Sequence, residues 1–550
     1  MSLQPQEVPP VPDETRRVAR AAFPKSNVYI RMRDALGAIY HDQLFAPLFP
    51  TRGQPAASPW RLALATIMQF AEGLSDRQAA DAVRSRIDWK YALSLELTDP
   101  GFDFSVLSEF RARLIAGSLE HQLLEAMLMH FKARGWLAAR GQQRTDSTHV
   151  LAAIRTLNRL ESVGETLRAA LNSLAVVAPD WLLTQVSPDW FDRYGTRLEE
   201  YRLPKGQEAR EVYAAQIGAD GFQLLDAIDA DVARRWLQEV PVVQMLRQMW
   251  AHQYTRRERQ VRLRTARELP SAGERFDSPY DPEAHYGHKR TTTWTGYKVH
   301  LTETCDPTAP HLITHVETTS ASMPDVTMTA PIHEALAAKA LLPSTHLVDA
   351  GYIDATLLVS SLQEHQVDLV GPVRTDVSWQ ARAAQGHDIS AFKVDWEAQT
   401  VTCPARHTNV TWHPRHDRWG NAVVHVDFHQ RHCRPCPHRP LCTHAKTEPR
   451  ELTLKPRAEH EALLAAREHQ TTAAWQAQYA VRAGIEGTLS QGIRAFALRQ
   501  SRYLGVAKTH LQHVATAAAM NLVRVDAWFE GIPHARTRIS RFAALHSSVA

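Results

Sequence analysis

The chain has 550 residues, enough for three or four units of ordinary size or for one large domain carrying insertions. Its 63 Lys and Arg nearly balance 59 Asp and Glu, and the net charge of +4 excludes charge-driven disorder without announcing a polyanion partner. No apolar run approaches the roughly 20 residues of a membrane span, and the start (MSLQPQEVPPVPDETRR) carries no apolar stretch behind a basic segment, so a cytoplasmic protein with no membrane partner is expected. Five cysteines are too few for a disulfide scaffold, yet Cys403, Cys433, Cys436 and Cys442 fall within forty positions.

Residues 1–25 are rich in Pro and polar side chains and lack periodicity, which predicts a flexible lead. Residues 26–138 read as all-helical. Ser58 caps a helix with Pro59 at its first position, Leu62, Leu64, Ile67, Met68 and Phe70 along it, and Gly73 as its stop. Ser75 and Gln78 form a capping box for the next helix, whose Ala79, Ala82, Val83 and Ile87 share a face while Arg77, Arg84 and Arg86 lie elsewhere. Two short helices joined by Gly-Leu-Ser have the pattern of a helix-turn-helix, and equally that of an ordinary helical hairpin. Helices over 106–116 and about 120–134 complete the region.

The segment GQQRTDSTHV reads as a strand carrying Asp146 and opens a unit made of residues 139–150 and 290–375. Between these pieces, 151–289 is a mostly helical insertion. In it Arg256, Arg257, Arg259, Arg262, Arg264 and Arg267 lie within twelve positions against Glu258, as a solvated helix face or as a phosphate-contacting surface. From Thr291 the period becomes two: Tyr297, Val299 and Leu301 alternate with Lys298, His300 and Thr302, and HLITHVETT follows as an antiparallel partner. A helix over about 326–341, a strand ending at Asp349, a helix capped by Asp354 and a strand over 367–373 come next. Residues 376–455 form a second insertion, which holds the cysteines. A helical tract over about 459–496 lies within the closing helical part, 456–525, and a tail spans 526–550.

With both insertions set aside, the order of elements is that of an α/β fold of the ribonuclease-H-like kind. Asp146 inside the first strand, Asp349 at the end of a later strand and Glu486 on a following helix can converge on one edge of such a sheet. Three converging carboxylates suit a hard divalent cation, Mg²⁺ or Mn²⁺, which takes oxygen ligands and supports phosphodiester chemistry. Tyr479, Arg482 and Glu486 stand at offsets 0, 3 and 7, one helical face, so a guanidinium fork for phosphate lies beside a carboxylate for metal. Singly, Asp146 and Asp349 could cap or pair with a base and Glu486 could be a surface residue; order and context together favour the joint reading.

The segments GLSDRQAADAVRSRIDWKYAL, DFSVLSEFRARL, RTDSTHV, TWTGYKVHLTETC, HLVDAGY and YAVRAGIEGTLSQGIRAF together resemble the DDE transposases of bacterial insertion sequences, over about residues 25–525. The branch resembled has a helical N-terminal region before an interrupted ribonuclease-H-like core. The resemblance implies a DNA transposase that binds the inverted-repeat ends of its element, cleaves them with divalent metal and joins the 3′-hydroxyl ends to target DNA. Asp146, Asp349 and Glu486 would be the metal ligands, Tyr479 and Arg482 would orient phosphate, and a homodimer, nucleoid-associated on DNA, would hold the two ends. Related transposases often carry Lys seven positions after the Glu. Here that position is Ile493, and Arg494 beside it, the candidate substitute, is turned about 100° away on an ideal helix. A transposase-derived DNA-binding protein without cleavage and a metal-dependent nuclease of the same fold remain the alternatives.

Cys433 and Cys436, with Pro435 and Pro437, suit a tight knuckle. The runs NVTW and AVVHVDF around Trp419-Gly420-Asn421 read as a hairpin between Cys403 and that knuckle. A zinc ribbon holding one structural Zn²⁺ on Cys403, Cys433, Cys436 and Cys442 fits this arrangement, with His407, His432, His438 and His444 as substitutes. Reduced thiols without metal and a redox role are the other readings; Cys305 reads as a core thiol.

Overall fold

The computed structural model describes residues 1–532 except 156, 259, 272, 290, 384 and 385, so Arg259 of the basic run and the tail beyond 532 lie outside the described residues. A six-stranded sheet organises the molecule: β1 (Gln142–Leu151), β2 (His285–Lys289), β3 (Thr292–Thr304), β4 (Ile313–Ser320), β5 (Thr345–Leu347) and β6 (Asp368–Val370). The main path runs β4-β3-β1-β5-β6, antiparallel from β4 to β1 and parallel from β1 to β6. The short β2 pairs with the first residues of β3.

The central strand β1 is polar in sequence yet buried from Gln143 to Thr148. Such a strand stands in a core only if its polar groups find partners. Gln143 donates to the Leu341 carbonyl at 2.7 Å, Arg144 to Glu303 at 2.7 Å, and Thr145 shares hydrogen bonds with Thr302 and His346, each at 2.7 Å. Tyr297, Val299 and Leu301 on β3 are buried as predicted, but His300 and Thr302 opposite them are buried too, because the sheet is covered on both faces there and their polar groups find partners in Tyr352, Thr319 and Thr145. Asp354 accepts from the Leu357 backbone and starts the helix Ala355–His365, as its position predicts.

The N-terminal helices share one hydrophobic core with this sheet, so residues 26–138 are packed onto the rest rather than standing apart. Helix Pro59–Glu72 is buried along almost its whole length, and Gly73 ends it at φ +70°. The capping box of Ser75 and Gln78 starts helix Asp76–Ser85. Across this region the long helix Val506–Phe529 lies between the N-terminal helices and β4, tied by a bidentate Arg31–Asp526 pair at 2.7 and 2.8 Å. The expected flexible lead differs: Asp13–Ala22 is a helix, because Val11, Ala19 and Phe23 bury against Ile30 and Tyr91, and Thr15 donates to the Leu95 carbonyl at 2.8 Å.

The insertion between β1 and β2 has its own core around Trp181, Trp190, Trp250 and Tyr254. Its basic run is not a helix face. Tyr254–Arg257 and Gln260–Leu263 pair as a two-stranded hairpin, and Arg256 and Arg262 are held by Asp226 and Glu268. The arginine count carried no helical signal of its own, whereas Tyr254 and Val261 pack onto the helix Gln207–Ala230 at Gly218, where a side chain would collide with both. A third, smaller core lies in the Cys-rich insertion, under a sheet of Asn409–His416, Ala422–Phe428 and Glu451–Leu454. Among the described residues no helix is long and apolar enough to cross a membrane.

Candidate active site

Strand periodicity sets the site. Arg144, Asp146 and Thr148 point to the same side of β1, toward the C-terminal helices. Arg144 donates to the Val481 carbonyl at 2.6 Å, Asp146 accepts from Arg482 at 2.6 Å, and Thr148 accepts from Arg499 at 2.8 Å. Asp349 stands two residues beyond β5, the strand next to β1, and its carboxylate accepts from the Gly351 backbone at 2.7 Å. Glu486 lies in the first turn of helix Gly484–Phe496.

These elements bring three carboxylates around one guanidinium. Arg482 Nη2 is 2.6 Å from Asp146 Oδ2 and 3.9 Å from Asp349 Oδ2, while Nη1 is 3.4 Å from Glu486 Oε1. Their exposures grade from the floor to the mouth, 11%, 28% and 68% for the side chains of Asp146, Asp349 and Glu486. Burial pushes the Asp146 carboxyl above its ordinary range, and Arg482 and the Ser147 backbone oppose this. Tyr479 stacks on Trp475 with ring centroids 4.7 Å apart, and burial raises its phenol while the three acids nearby add to the rise.

The single helical face expected for Tyr479, Arg482 and Glu486 is interrupted. Helix Ala473–Ala480 passes into a 3₁₀ turn, Val481–Ala483, before the helix with Glu486 begins. Gly484 is needed there, because an ideal Cβ would stand 2.0 Å from Arg144 Nη1. Arg494 is exposed in the last turn of that helix and is not drawn into the cluster. Arg499, beyond the helix end, also reaches β1, through Thr148.

Beneath the site, Glu303 on β3 is fully buried. It accepts from Arg144 and Arg524, both at 2.7 Å, and from Thr488 at 2.6 Å, which ties β1, the Glu486 helix and the long helix together. Glu303 was legible as a charge in register with the apolar Tyr297, Val299 and Leu301. A fourth acid, Asp325, accepts from Ser147 at 3.2 Å and pairs with Lys298 at 3.0 Å, and it flanks Gly351 beside Asp349. Its only sequence signal was a position after Pro324, which marks a helix start rather than a site.

Cys403, Cys433, Cys436 and Cys442 line one cavity of about 30 Å³ with His407, His432 and His438, room for an ion rather than for a metabolite. Burial, with the three other thiols adding, pushes the Cys442 thiol up to about 11. Among the described residues the one group of three potential ligands with donor atoms all within 4.8 Å is a different one, His425, Asp427 and Glu451. Neither the thiols nor the three acids around Arg482 are drawn that close. Arg415 donates to His425 Nδ1 at 2.9 Å, so the proton of that ring sits on Nε2, facing Asp427 at 3.1 Å. A neutral imidazole hydrogen-bonded between Arg415 and Asp427 accounts for the group.

The three arginines of the predicted N-terminal helix pair are engaged within the chain. Arg86 pairs with Glu72 and Asp88, Arg84 with Asp81, and the Arg77 guanidinium lies 4.4 Å above the Phe104 ring.

Residues 402–525 match the family described as Transposase DDE domain, and residues 17–113 match the family described as Transposase domain (DUF772). The first match contains Tyr479, Arg482, Glu486 and the four clustered cysteines, and ends before reaching back to Asp146 and Asp349. No curated protein and no solved structure matches the chain.

Proposed function

We propose that the chain, two segments of which match transposase families, is a DDE transposase of the insertion-sequence type that binds the ends of its element, cleaves phosphodiester bonds there and joins the 3′-hydroxyl ends to target DNA. The observation that carries this reading is the convergence of Asp146, Asp349 and Glu486 on one guanidinium from three separate chain segments. The strand order β4-β3-β1-β5-β6, with only the β1-β5-β6 side parallel, supports a ribonuclease-H-like core.

The donor set fits a hard cation: it is all oxygen, and a positively charged group already stands among the three acids. Asp146, Asp349 and Glu486 would hold Mg²⁺ or Mn²⁺, which when bound supplies activation of the attacking oxygen and stabilisation of the leaving one. Arg482, with a planar fork of donors, holds the acids in register and presents its guanidinium to the scissile phosphate. Tyr479 walls the mouth and positions the same phosphate. Arg144 fixes the turn that carries Arg482, and Arg499 extends the cationic surface along β1.

One structural Zn²⁺ on Cys403, Cys433, Cys436 and Cys442 suits thiols that line a common ion-sized cavity, because a dication reverses the pressure toward neutral thiols. The region 26–138 contributes to end recognition through Arg77 more than through Arg84 and Arg86, whose charges face Asp81 and Glu72 with Asp88. Two copies bring two ends together.

The test is Mg²⁺-dependent nicking and joining of DNA carrying the element's ends by Asp146→Asn, Asp349→Asn and Glu486→Gln. Each keeps shape while removing the ligand charge, so cleavage falls by several orders of magnitude with binding in Ca²⁺ retained. A carboxamide variant that cuts at the parental rate removes that residue from the site, and three such variants refute the mechanism.

A further inference from the structure

Positive charge is concentrated in one part of the Cys-rich insertion, which as a whole (376–455) nets +3. Residues 401–450 contain eight Arg and Lys against three Asp and Glu, a net of +5, whereas the full chain nets +4, so the other 500 residues are slightly acidic together. Arg406, Arg415, Arg418, Arg431, Arg434 and Lys446 are exposed there, and none forms an ion pair with a carboxylate among the described residues. Exposed Arg17, Arg84, Arg247 and Arg262 each have an acidic partner, and the exposed arginines that lack one elsewhere among the described residues, such as Arg52, Arg77, Arg140 and Arg494, are scattered along the chain. A run of unpaired guanidiniums is costly self-repulsion unless an anion answers it.

The charges are set on a rigid frame. At one end, Arg406 and Arg431 flank the stacked rings of His407 and His432, whose centroids are 4.5 Å apart, and Arg434 follows in the Cys433–Cys436 turn. At the other end is the tip of the hairpin Asn409–His416 and Ala422–Phe428, about 20 Å away for strands of this length. Asp417 accepts from the backbone of Trp419 at 2.8 Å and from the backbone and side chain of Asn421, both at 2.9 Å, and Gly420 takes φ +86° to close the turn. This cage fixes Trp419 outward with 71% of its surface exposed and the Arg418 guanidinium 3.9 Å above its ring. Two of the three acids are already engaged: Asp417 in the turn and Asp427 with His425.

We propose that this insertion is a second DNA-binding surface, docking on the phosphate backbone of duplex DNA with Arg415 and Arg418 on phosphates and Trp419 against sugar and base edges in the groove. The inference rests on the transposase reading and names a DNA contact outside the carboxylate site. Two cationic clusters about 20 Å apart can meet the phosphate backbone at separate points along a duplex, and the fixed tip lowers the ordering cost of contact.

The experiment uses the full chain and a fluorescein-labelled duplex of random sequence, with anisotropy titrations in Ca²⁺ at several salt concentrations. For Arg415→Ala with Arg418→Ala, affinity falls about tenfold at moderate salt, and the slope of log K against log salt shrinks by about 1.8, roughly 0.9 for each lost phosphate contact. Trp419→Ala weakens binding several-fold with the slope unchanged, because an apolar contact releases no counterion. Arg415→Lys with Arg418→Lys retains the parental slope, and Arg247→Ala on the helical insertion changes nothing. Unchanged zinc content and circular dichroism establish that the variants are folded. If the alanine pair binds within twofold of the parent with the same slope, the surface is not a DNA contact, and the transposase reading stands on its separate cleavage assay. If the parental chain neither binds duplex nor cuts end DNA, both fall.

Discussion

Replacing Glu303 by Gln tests whether the helix carrying Glu486 is held by a buried charge network. The Glu303 side chain is fully buried, and its two oxygens serve Arg144, Arg524 and Thr488 at 2.6 to 2.7 Å. The two guanidiniums are themselves largely enclosed. Removing the anion leaves two desolvated cations facing a neutral amide, and breaking a buried pair in this way costs about 3–5 kcal/mol. At roughly 2–4 °C per kcal/mol for a domain of this size, the transition of the core should fall by about 6 °C or more. Burial alone would raise the Glu303 carboxyl, but Arg524 and Arg144 outweigh it and hold it below its ordinary value. Its contribution is therefore complete above the unfolded value, about 4.3, and is lost as pH falls through the lower folded value. Scanning calorimetry of parent and Glu303→Gln at neutral pH and at successively lower pH reads both effects. A shift under about 1 °C at neutral pH, or a gap between the two proteins that fails to narrow in acid, would refute the reasoning.

Gly484→Ala drives a methyl into Arg144, whose Nη1 would lie 2.0 Å away, so the turn bearing Arg482 must move; about 1–3 kcal/mol of destabilisation and a loss of nicking larger than the loss of folded protein are expected, measured by melting and by cleavage rate. Burial lowers His300 and His333 to about 4 and His513 to about 3, so the unfolded chain binds more protons once pH drops below about 6.5 and stability falls from there toward pH 4. Urea titrations across that range should show this slope, and His513→Gln should reduce it; a flat profile would count against buried neutral imidazoles. Cys436→Ser should lower zinc from about one per chain and loosen the insertion first, read by elemental analysis and limited proteolysis. Zinc well under one per chain in the parent, unchanged by the substitution, would remove the metal from this description.

Features whose cause lies within a few residues were legible in the chain alone. Ser75 and Gln78 cap a helix, Gly73 ends one, Asp354 starts one, and Trp419-Gly420-Asn421 turn a hairpin, because each sets the backbone of its immediate neighbours. The period of two in β3 and the placement of Asp146 within a strand follow from the same short-range logic. Tertiary structure alone decided which charges meet. Arg482 finds Asp146 across 336 positions, and Arg524 finds Glu303 across 221, while the arginines of the 256–267 run turn to local acids on a hairpin. A guanidinium is equally suited to solvent, phosphate or any carboxylate, so its identity does not name its partner. Only the closing of the sheet against the C-terminal helices, driven by a core that also absorbs the N-terminal helices, brings three acids to one cation and leaves the arginines of the Cys-rich insertion without acids.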